Sequence, residues 1–242
     1  MVKIGFQTSK YNELSIVQEL DYSNKYRLKN FEIFLDDSLP SNFSKYELET
    51  IIRYKRRGLE YSVHSPIYSY IKKEDYIDEI IKFCIDIKAT YLTVHFNLLS
   101  YEIMEYFIKS LKKTALSIEN VIPDRHSLYD INYIDFMSIC SKKYKVYSTL
   151  DIGHCAINGY DPIEYCELLS KNNIKALSVH LHNNDKISDT HQSLDRGDID
   201  YQIVAPYLFA NVKPEYYVIE HWSGNERSLK YFMDIIHYNK LL

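Results

Sequence analysis

Short apolar runs alternate along this chain with stretches whose apolar residues recur at helical spacing. Val2–Phe6, Phe31–Leu35, Glu60–Val63, Tyr91–His95, Ala115–Glu119, Lys145–Leu150, Ala176–Leu181 and Tyr216–Glu220 read as strands. Amphipathic stretches lie between them, among them Asn42–Arg57, Lys73–Lys88, Tyr101–Lys113, Ser127–Lys142, Pro162–Lys171 and Asn225–Tyr238. Tyr76, Ile77, Ile80, Ile81 and Cys84 show the period, because that spacing puts all five on one face of a helix. Alternating strand and helix units imply parallel strands joined by crossover helices. Eight such units in 242 residues predict one closed (β/α)₈ TIM barrel over residues 1–242, with no second domain. An open doubly wound sheet fits less well, since no GxGxxG follows the first strand.

Composition narrows the picture only slightly. Apolar residues make up 46% and charged residues 26%, as in an ordinary globular domain with its own core. The 24 tyrosines, with abundant Ile, Lys and Asn, read as the usage of an AT-rich genome before they read as function. The net charge is −4, which gives no general attraction for a polyanion. The densest basic run, Lys55-Arg56-Arg57, falls where a helix ends and its dipole favours cations. Cys84, Cys140, Cys155 and Cys166 have neither CxxC nor disulfide-framework spacing. No apolar run has the ~20 residues of a transmembrane helix, and the N-terminus lacks the apolar core of a signal peptide. A cytoplasmic protein with reduced thiols is the expectation.

The candidate chemistry lies at the strand ends. His64 follows the third strand, His95 ends the fourth and Glu119 the fifth. Asp151 and His154 follow the sixth, His180 lies near the end of the seventh, Asp189 and His191 come in the next loop, and Glu220 ends the eighth. In a barrel these ends share one face, where active sites of the fold sit. Any one of them alone is an unremarkable polar residue. Nine together would repel or be left undersolvated without counter-charge, which divalent cations supply. Imidazole and carboxylate donors without thiolate suit Zn, Mn or Fe.

Ser117-Ile118-Glu119-Asn120, Leu150-Asp151-Ile152-Gly153-His154 and Val179-His180-Leu181-His182 with Asp189-Thr190-His191 resemble the xylose-isomerase-like TIM-barrel superfamily, which includes endonuclease IV and many sugar isomerases and epimerases. The resemblance spans the chain from Lys3-Ile4-Gly5 to Glu220. By resemblance to endonuclease IV, His64, His95 and Glu119 would bind one zinc ion. Glu119 would bridge to a second, completed by Asp151, His180 and Glu220, and His154, Asp189 and His191 would hold a third. Such a centre implies a phosphoester hydrolase, with the third ion on the phosphate. The isomerases of the superfamily use one Mn or Mg ion on a quartet matching Glu119, Asp151, His180 and Glu220, so His64, His95, Asp189 and His191 are the informative residues. An isomerase or epimerase with Glu119 and Glu220 as catalytic proton shuttles is the alternative, and a non-catalytic binding or scaffold module ranks third, against an intact ligand set. Two features depart from the DNA-repair branch: the chain is shorter than endonuclease IV, and it is acidic, whereas DNA affinity rests on Lys and Arg. Asp195-Arg196-Gly197-Asp198-Ile199-Asp200-Tyr201 looks closer to the isomerase-like branch. The substrate is thus a small-molecule or nucleic-acid phosphoester, with DNA as one candidate.

His182, Arg196 and Trp222 are the candidate substrate contacts: His182 shares a strand face with His180, Arg196 is a cation for phosphate, and Trp222 is a wall for a sugar face. Asp36 and Asp37 could line the rim. His221 should face away from Glu220 in a structural role, His126 and His237 are expected at the surface, and Cys155 has no positioned base.

Overall fold

Eight parallel strands hydrogen-bond in chain order and close on themselves: β1 (Lys3–Gln7), β2 (Asn30–Phe34), β3 (Glu60–His64), β4 (Tyr91–His95), β5 (Ala115–Glu119), β6 (Val146–Asp151), β7 (Ala176–Leu181) and β8 (Tyr216–Ile219), which returns to pair with β1. The computed structural model describes residues 2–8, 14–35, 39–67, 74–221 and 225–241. The principal helices are α1 (Ile16–Lys25), α2 (Lys45–Arg56), α3 (Glu74–Asp86), α4 (Tyr101–Ser110), α5 (Tyr133–Lys143), α6 (Ile152–Ile157), α7 (Pro162–Lys171), α8 (Tyr201–Tyr207) and α9 (Asn225–Tyr238). The chain is a TIM barrel, as the alternation of strand and helix signals predicts. Among the described residues, no helix is long and apolar enough to cross a membrane.

Local sequence explains where the helices start. Ser15 with Gln18 and Ser44 with Glu47 form reciprocal capping boxes, and Asp161 accepts from two backbone N–H groups ahead of Pro162. Arg53, Lys55 and Arg56 fill the last turn of α2, where they face the negative end of its dipole.

Leu92, Val94, Ile118, Leu150, Val179 and Leu181 are buried in the main hydrophobic core. Other strand positions carry a layer of hydroxyls. The Thr149 hydroxyl lies 2.6 Å from that of Ser117, 2.8 Å from Ser178 and 3.3 Å from Thr93, all of them buried. Tyr61, Tyr91, Tyr133, Tyr165, Tyr201 and Tyr217 are fully buried. The Tyr61 hydroxyl donates to the Ile51 carbonyl and the Tyr201 hydroxyl to the His182 carbonyl. Part of the tyrosine content therefore serves packing, with the polar tip finding a partner.

The segment between β5 and β6 departs from the expected helix over Ser127–Lys142. Arg125–His126 pairs antiparallel with Ile131–Asn132, and α5 begins only at Tyr133, with the Asn132 side chain as its cap. Asp130 turns the chain with φ of 49°, a conformation Asp tolerates. His126 is correspondingly not at the surface: it is buried, 2.6 Å from the Leu99 carbonyl, and accepts from the Leu128 N–H. His237 is exposed as expected, and His221 is buried against the Ser228 hydroxyl at 3.0 Å.

Gly5 lets β1 approach β2. A Cβ built there would lie 2.5 Å from the Asn30 carbonyl oxygen, which the strand pairing holds in place. Gly5→Ala is expected to destabilise the protein by about 1–3 kcal/mol, read as a lower urea midpoint. An unchanged midpoint would contradict this account of barrel closure.

Candidate metal centre

Strands β3 to β8 bring the metal-competent side chains together at their C-terminal ends. His64, His95, Glu119 and Asp151 are the last residues of β3, β4, β5 and β6; His180 lies within β7, and Glu220 directly follows β8. Parallel register sets His95 beside Glu119 and Asp151 beside His180. Three compact groups of potential ligand atoms result: His64, Glu119 and His180; Glu119, Asp151, His180 and Glu220; and His154, His182, Asp189 and His191.

Glu119 occupies the middle. Its Oε2 lies 2.8 Å from His64 Nε2 and 3.6 Å from His180 Nδ1, while its Oε1 lies 3.3 Å from His154 Nδ1 and 3.6 Å from His95 Nε2. His95 thus stands next to Glu119 just outside the compact groups, and His180 is the second histidine of the group formed with His64 and Glu119. Glu119 Oε1, Asp151 Oδ2, Glu220 Oε2 and both ring nitrogens of His180 are buried without an aligned hydrogen bond, although His180 Nδ1 makes a 2.7 Å ion-pair contact with Glu220 Oε2 and Nε2 a 2.9 Å one with Glu32 Oε1. Glu119 Oε1, Asp151 Oδ2, His180 Nδ1 and Glu220 Oε2 come one from each member of the second group, and buried polar atoms converging without aligned hydrogen bonds fit a cation.

The imidazoles are oriented from behind. His64 Nδ1 lies 2.7 Å from the Ser65 carbonyl, His154 Nδ1 2.9 Å from the Asn120 carbonyl and His191 Nδ1 3.2 Å from the Glu220 carbonyl. A carbonyl only accepts, so each Nδ1 carries the proton and donates, leaving the Nε2 lone pair for the centre. Metal-binding histidines are held in the same manner.

Local sequence builds the second half of the site. Asp151 Oδ1 caps α6 by accepting from the His154 N–H at 2.6 Å, which fixes His154 three residues on. Asn120 clasps the Asp151 backbone through two 2.8 Å bonds. The loop after β7 is pinned by reciprocal bonds between the Asn183 and Gln192 backbones. Inside that closure His191 adopts φ of 41°, a left-handed conformation that costs about 1–3 kcal/mol for a non-glycine residue. Its Nε2 then lies 3.2 Å from Asp189 Oδ1, with His154 Nε2 3.5 Å from Asp189 Oδ2.

Two features of the candidate site escape the sequence reading. The first is Glu32 in β2, fully buried, with Oε1 2.9 Å from His180 Nε2 and 3.1 Å from Gln7 Nε2. The second is the placement of His182, which is completely buried, 3.1 Å from Asp151 Oδ1 and stacked on His191 with centroids 3.9 Å apart. The His182 ring presses so closely on Gly153 that a Cβ there would lie 2.0 Å from it. Only glycine fits in that turn of α6. Arg196 is exposed on the loop after β7. Trp222, Asp36 and Asp37 lie outside the described residues.

The charges answer one another. Burial opposes the charge on His64, His154 and His180, but the carboxylates of Glu119, Asp151 and Glu32, respectively, outweigh it and hold these rings above the ordinary imidazole value. Burial likewise works against Glu119, Asp189 and Glu220, yet neighbouring histidines keep all three below the usual carboxylate range. His95 is the exception, pushed down to about 4 by burial and by repulsion from His64 and His154. It is neutral at physiological pH.

His191 is held up at about 9, because Asp189 and Glu220 overcome its burial. Its contribution to the metal-free fold is complete below 6.5 and disappears as pH rises through 9. Glu220, with its lowered value, contributes above 4.5 and loses that contribution as pH falls towards its folded value. A bound cation must displace the ring protons. Added zinc is therefore expected to raise the melting temperature more near pH 8 than near pH 6, and an equal or reversed effect would contradict this.

No protein-family model matches the chain, and no curated protein matches its sequence. Solved structures do match in fold. Endonuclease IV from Thermus thermophilus aligns with a TM-score of 0.73 and 16% identity, covering 98% of this chain and 99% of that one. The 3-keto-D-glucoside 4-epimerase of E. coli aligns at 0.66 and 14% identity over 100% of both chains. Another Thermus thermophilus protein, whose crystals were soaked with ZnCl2, aligns at 0.68 and 15%, covering 98% of each chain. The chain has the fold of the xylose-isomerase-like TIM-barrel proteins, among them a xylose isomerase domain protein, an endonuclease and sugar epimerases.

Proposed function

We propose that this protein is a divalent-metal-dependent hydrolase that cleaves a phosphoester at a centre of up to three ions, zinc by resemblance to endonuclease IV, with Mn and Fe also suited to the donors. The observation that carries the reading is the third ligand group. His154, Asp189 and His191 converge outside the quartet of Glu119, Asp151, His180 and Glu220, and a single ion on that quartet has no use for them. His64, His95 and Glu119 would hold a first ion, Glu119, Asp151, His180 and Glu220 a second, and His154, Asp189 and His191 a third. Bound there, such ions supply Lewis acidity for activating water and for stabilising charge on a leaving oxygen.

The remaining work falls to the chain itself. Glu119, with one carboxylate oxygen towards each side, ties the halves of the centre together. The side chains of His95, Glu220 and Asp189 are 15%, 12% and 37% exposed, against 0–2% for His64 and His180, so substrate reaches the centre past them. Charge supports an anionic substrate. Glu32, Glu119, Asp151, Asp189 and Glu220 bring five negative charges, and three divalent ions would leave the floor positive, whereas one ion would leave it negative unless histidines kept their protons. In this reading Arg196, exposed on the loop after β7, is the candidate cation for the phosphate. DNA is one such phosphoester and small phosphodiesters are others.

The second reading is a sugar or sugar-phosphate epimerase or isomerase. The buried atoms of the Glu119, Asp151, His180 and Glu220 quartet, without aligned hydrogen bonds, favour it, since one ion there, with Glu119 and Glu220 moving the proton, would suffice.

The hydrolase is tested on zinc-loaded protein with small phosphodiesters and abasic DNA. Glu119→Gln and His191→Ala are each expected to lower hydrolysis at least about 100-fold. Unchanged hydrolysis in His191→Ala would contradict a role for the third ion, and epimerase activity on ketoses that survives in His191→Ala would select the second reading.

A further inference from the structure

His180 differs from the other ligand histidines in what stands behind it. His64, His154 and His191 each donate Nδ1–H to a backbone carbonyl. In His180 the nitrogens are reversed. Nδ1 faces the centre, 2.7 Å from Glu220, 3.6 Å from Glu119 and 4.0 Å from Asp151. Nε2 faces inward, in ion-pair contact 2.9 Å from Glu32 Oε1, with its N–H not aligned on that oxygen.

Glu32 has 0% exposure, and among the described residues no lysine or arginine pairs with it. A buried carboxylate without a counter-charge costs several kcal/mol. Gln7 Nε2 donates to its Oε1 at 3.1 Å, and the Thr93 hydroxyl lies 3.5 Å from its Oε2. Those contacts orient the carboxylate without neutralising it. Among the described residues its nearest cationic partner is the His180 ring, and beyond that ring lies the ligand group.

We infer that Glu32 is a positioning residue of the metal centre: it fixes the proton of His180 on Nε2, aims Nδ1 at the ion shared with Glu119, Asp151 and Glu220, and makes that nitrogen a stronger donor. A carboxylate accepts only, so it admits the tautomer with its lone pair on Nδ1 and excludes the other. Gln7 holds Glu32 in turn, which extends the chain of contacts to the end of β1. This inference rests on the metal reading proposed above and assigns the element that tunes one of its ions.

The test is a titration of metal-free protein with cobalt, read by visible absorption, followed by competition with zinc against a chromophoric chelator. The proteins compared are wild type, Glu32→Gln, Gln7→Met and His180→Ala. Glu32→Gln keeps the shape and removes the charge. It is expected to weaken one ion by about tenfold or more, to shift the cobalt absorption of that ion and to leave the others at wild-type affinity. Gln7→Met should weaken the same ion by a smaller factor, and it decides the matter if Glu32→Gln does not fold. Wild-type affinities and spectra in both variants, with one ion lost in His180→Ala, would overturn the role of Glu32 and leave the metal centre standing. No ion bound by wild type would overturn both.

Discussion

Like charges this close together are the constraint on which the rest of the molecule depends. The carboxylates of Glu32, Glu119, Asp151, Asp189 and Glu220 meet at one end of the barrel, interleaved with the rings of His64, His95, His154, His180, His182 and His191. Two such charges at about 4 Å repel by about 4 kcal/mol at the effective dielectric of a protein surface, and by more in its interior. The cluster is tolerable only with positive charge among its members. Ring protons supply it in the metal-free state, which is why the paired histidines sit above their ordinary values. Cations supply it more compactly, and the donors are already turned to receive them.

The fold meets this constraint with ordinary devices. Parallel register delivers one donor per strand end, so no ligand depends on a long unsupported loop except Asp189 and His191. That loop is closed by the Asn183–Gln192 bridge, and Asn183 spends its side chain on the Leu194 and Ile199 carbonyls and on the Asn184 and Ile199 N–H groups. Beneath the cluster the Thr93, Ser117, Thr149 and Ser178 hydroxyls provide a polar layer between the charges and the apolar packing around the strands. Gly153 admits the His182 ring, and His182 contacts the same Asp151 oxygen that caps α6. One aspartate thereby ties a helix start, a neighbouring strand and a ligand group together.

The barrel and most of the candidate site were legible in the sequence because both rest on short-range pattern. Apolar runs located all eight strands to within a residue or two, and the ligand residues stand where those runs stop. The hairpin before α5 was not legible, since Ser127–Lys142 contains enough apolar residues at helical spacing to imitate one longer helix. Burial of His126 follows from that hairpin and stayed hidden with it. Glu32 was invisible for another reason: a lone carboxylate in mid-strand has the pattern of a residue facing solvent, and only barrel closure brings His180 from five strands away. His182 could be read as sharing a face with His180, but its stacking on His191 depends on the left-handed turn at His191, which no local motif announces. Sequence similarity adds little here, as the endonuclease and the 3-keto-D-glucoside 4-epimerase compared above are 16% and 14% identical to this chain.

Elemental analysis of the protein, reconstituted with zinc and freed of excess by gel filtration, tests the central claim most directly. A polynuclear centre linked through Glu119 predicts between two and three tightly held ions per chain, with Glu119→Gln losing more than one of them at once. A single ion that survives His154→Ala and His191→Ala alike would reduce the centre to its quartet. No retained ion at all would contradict the account.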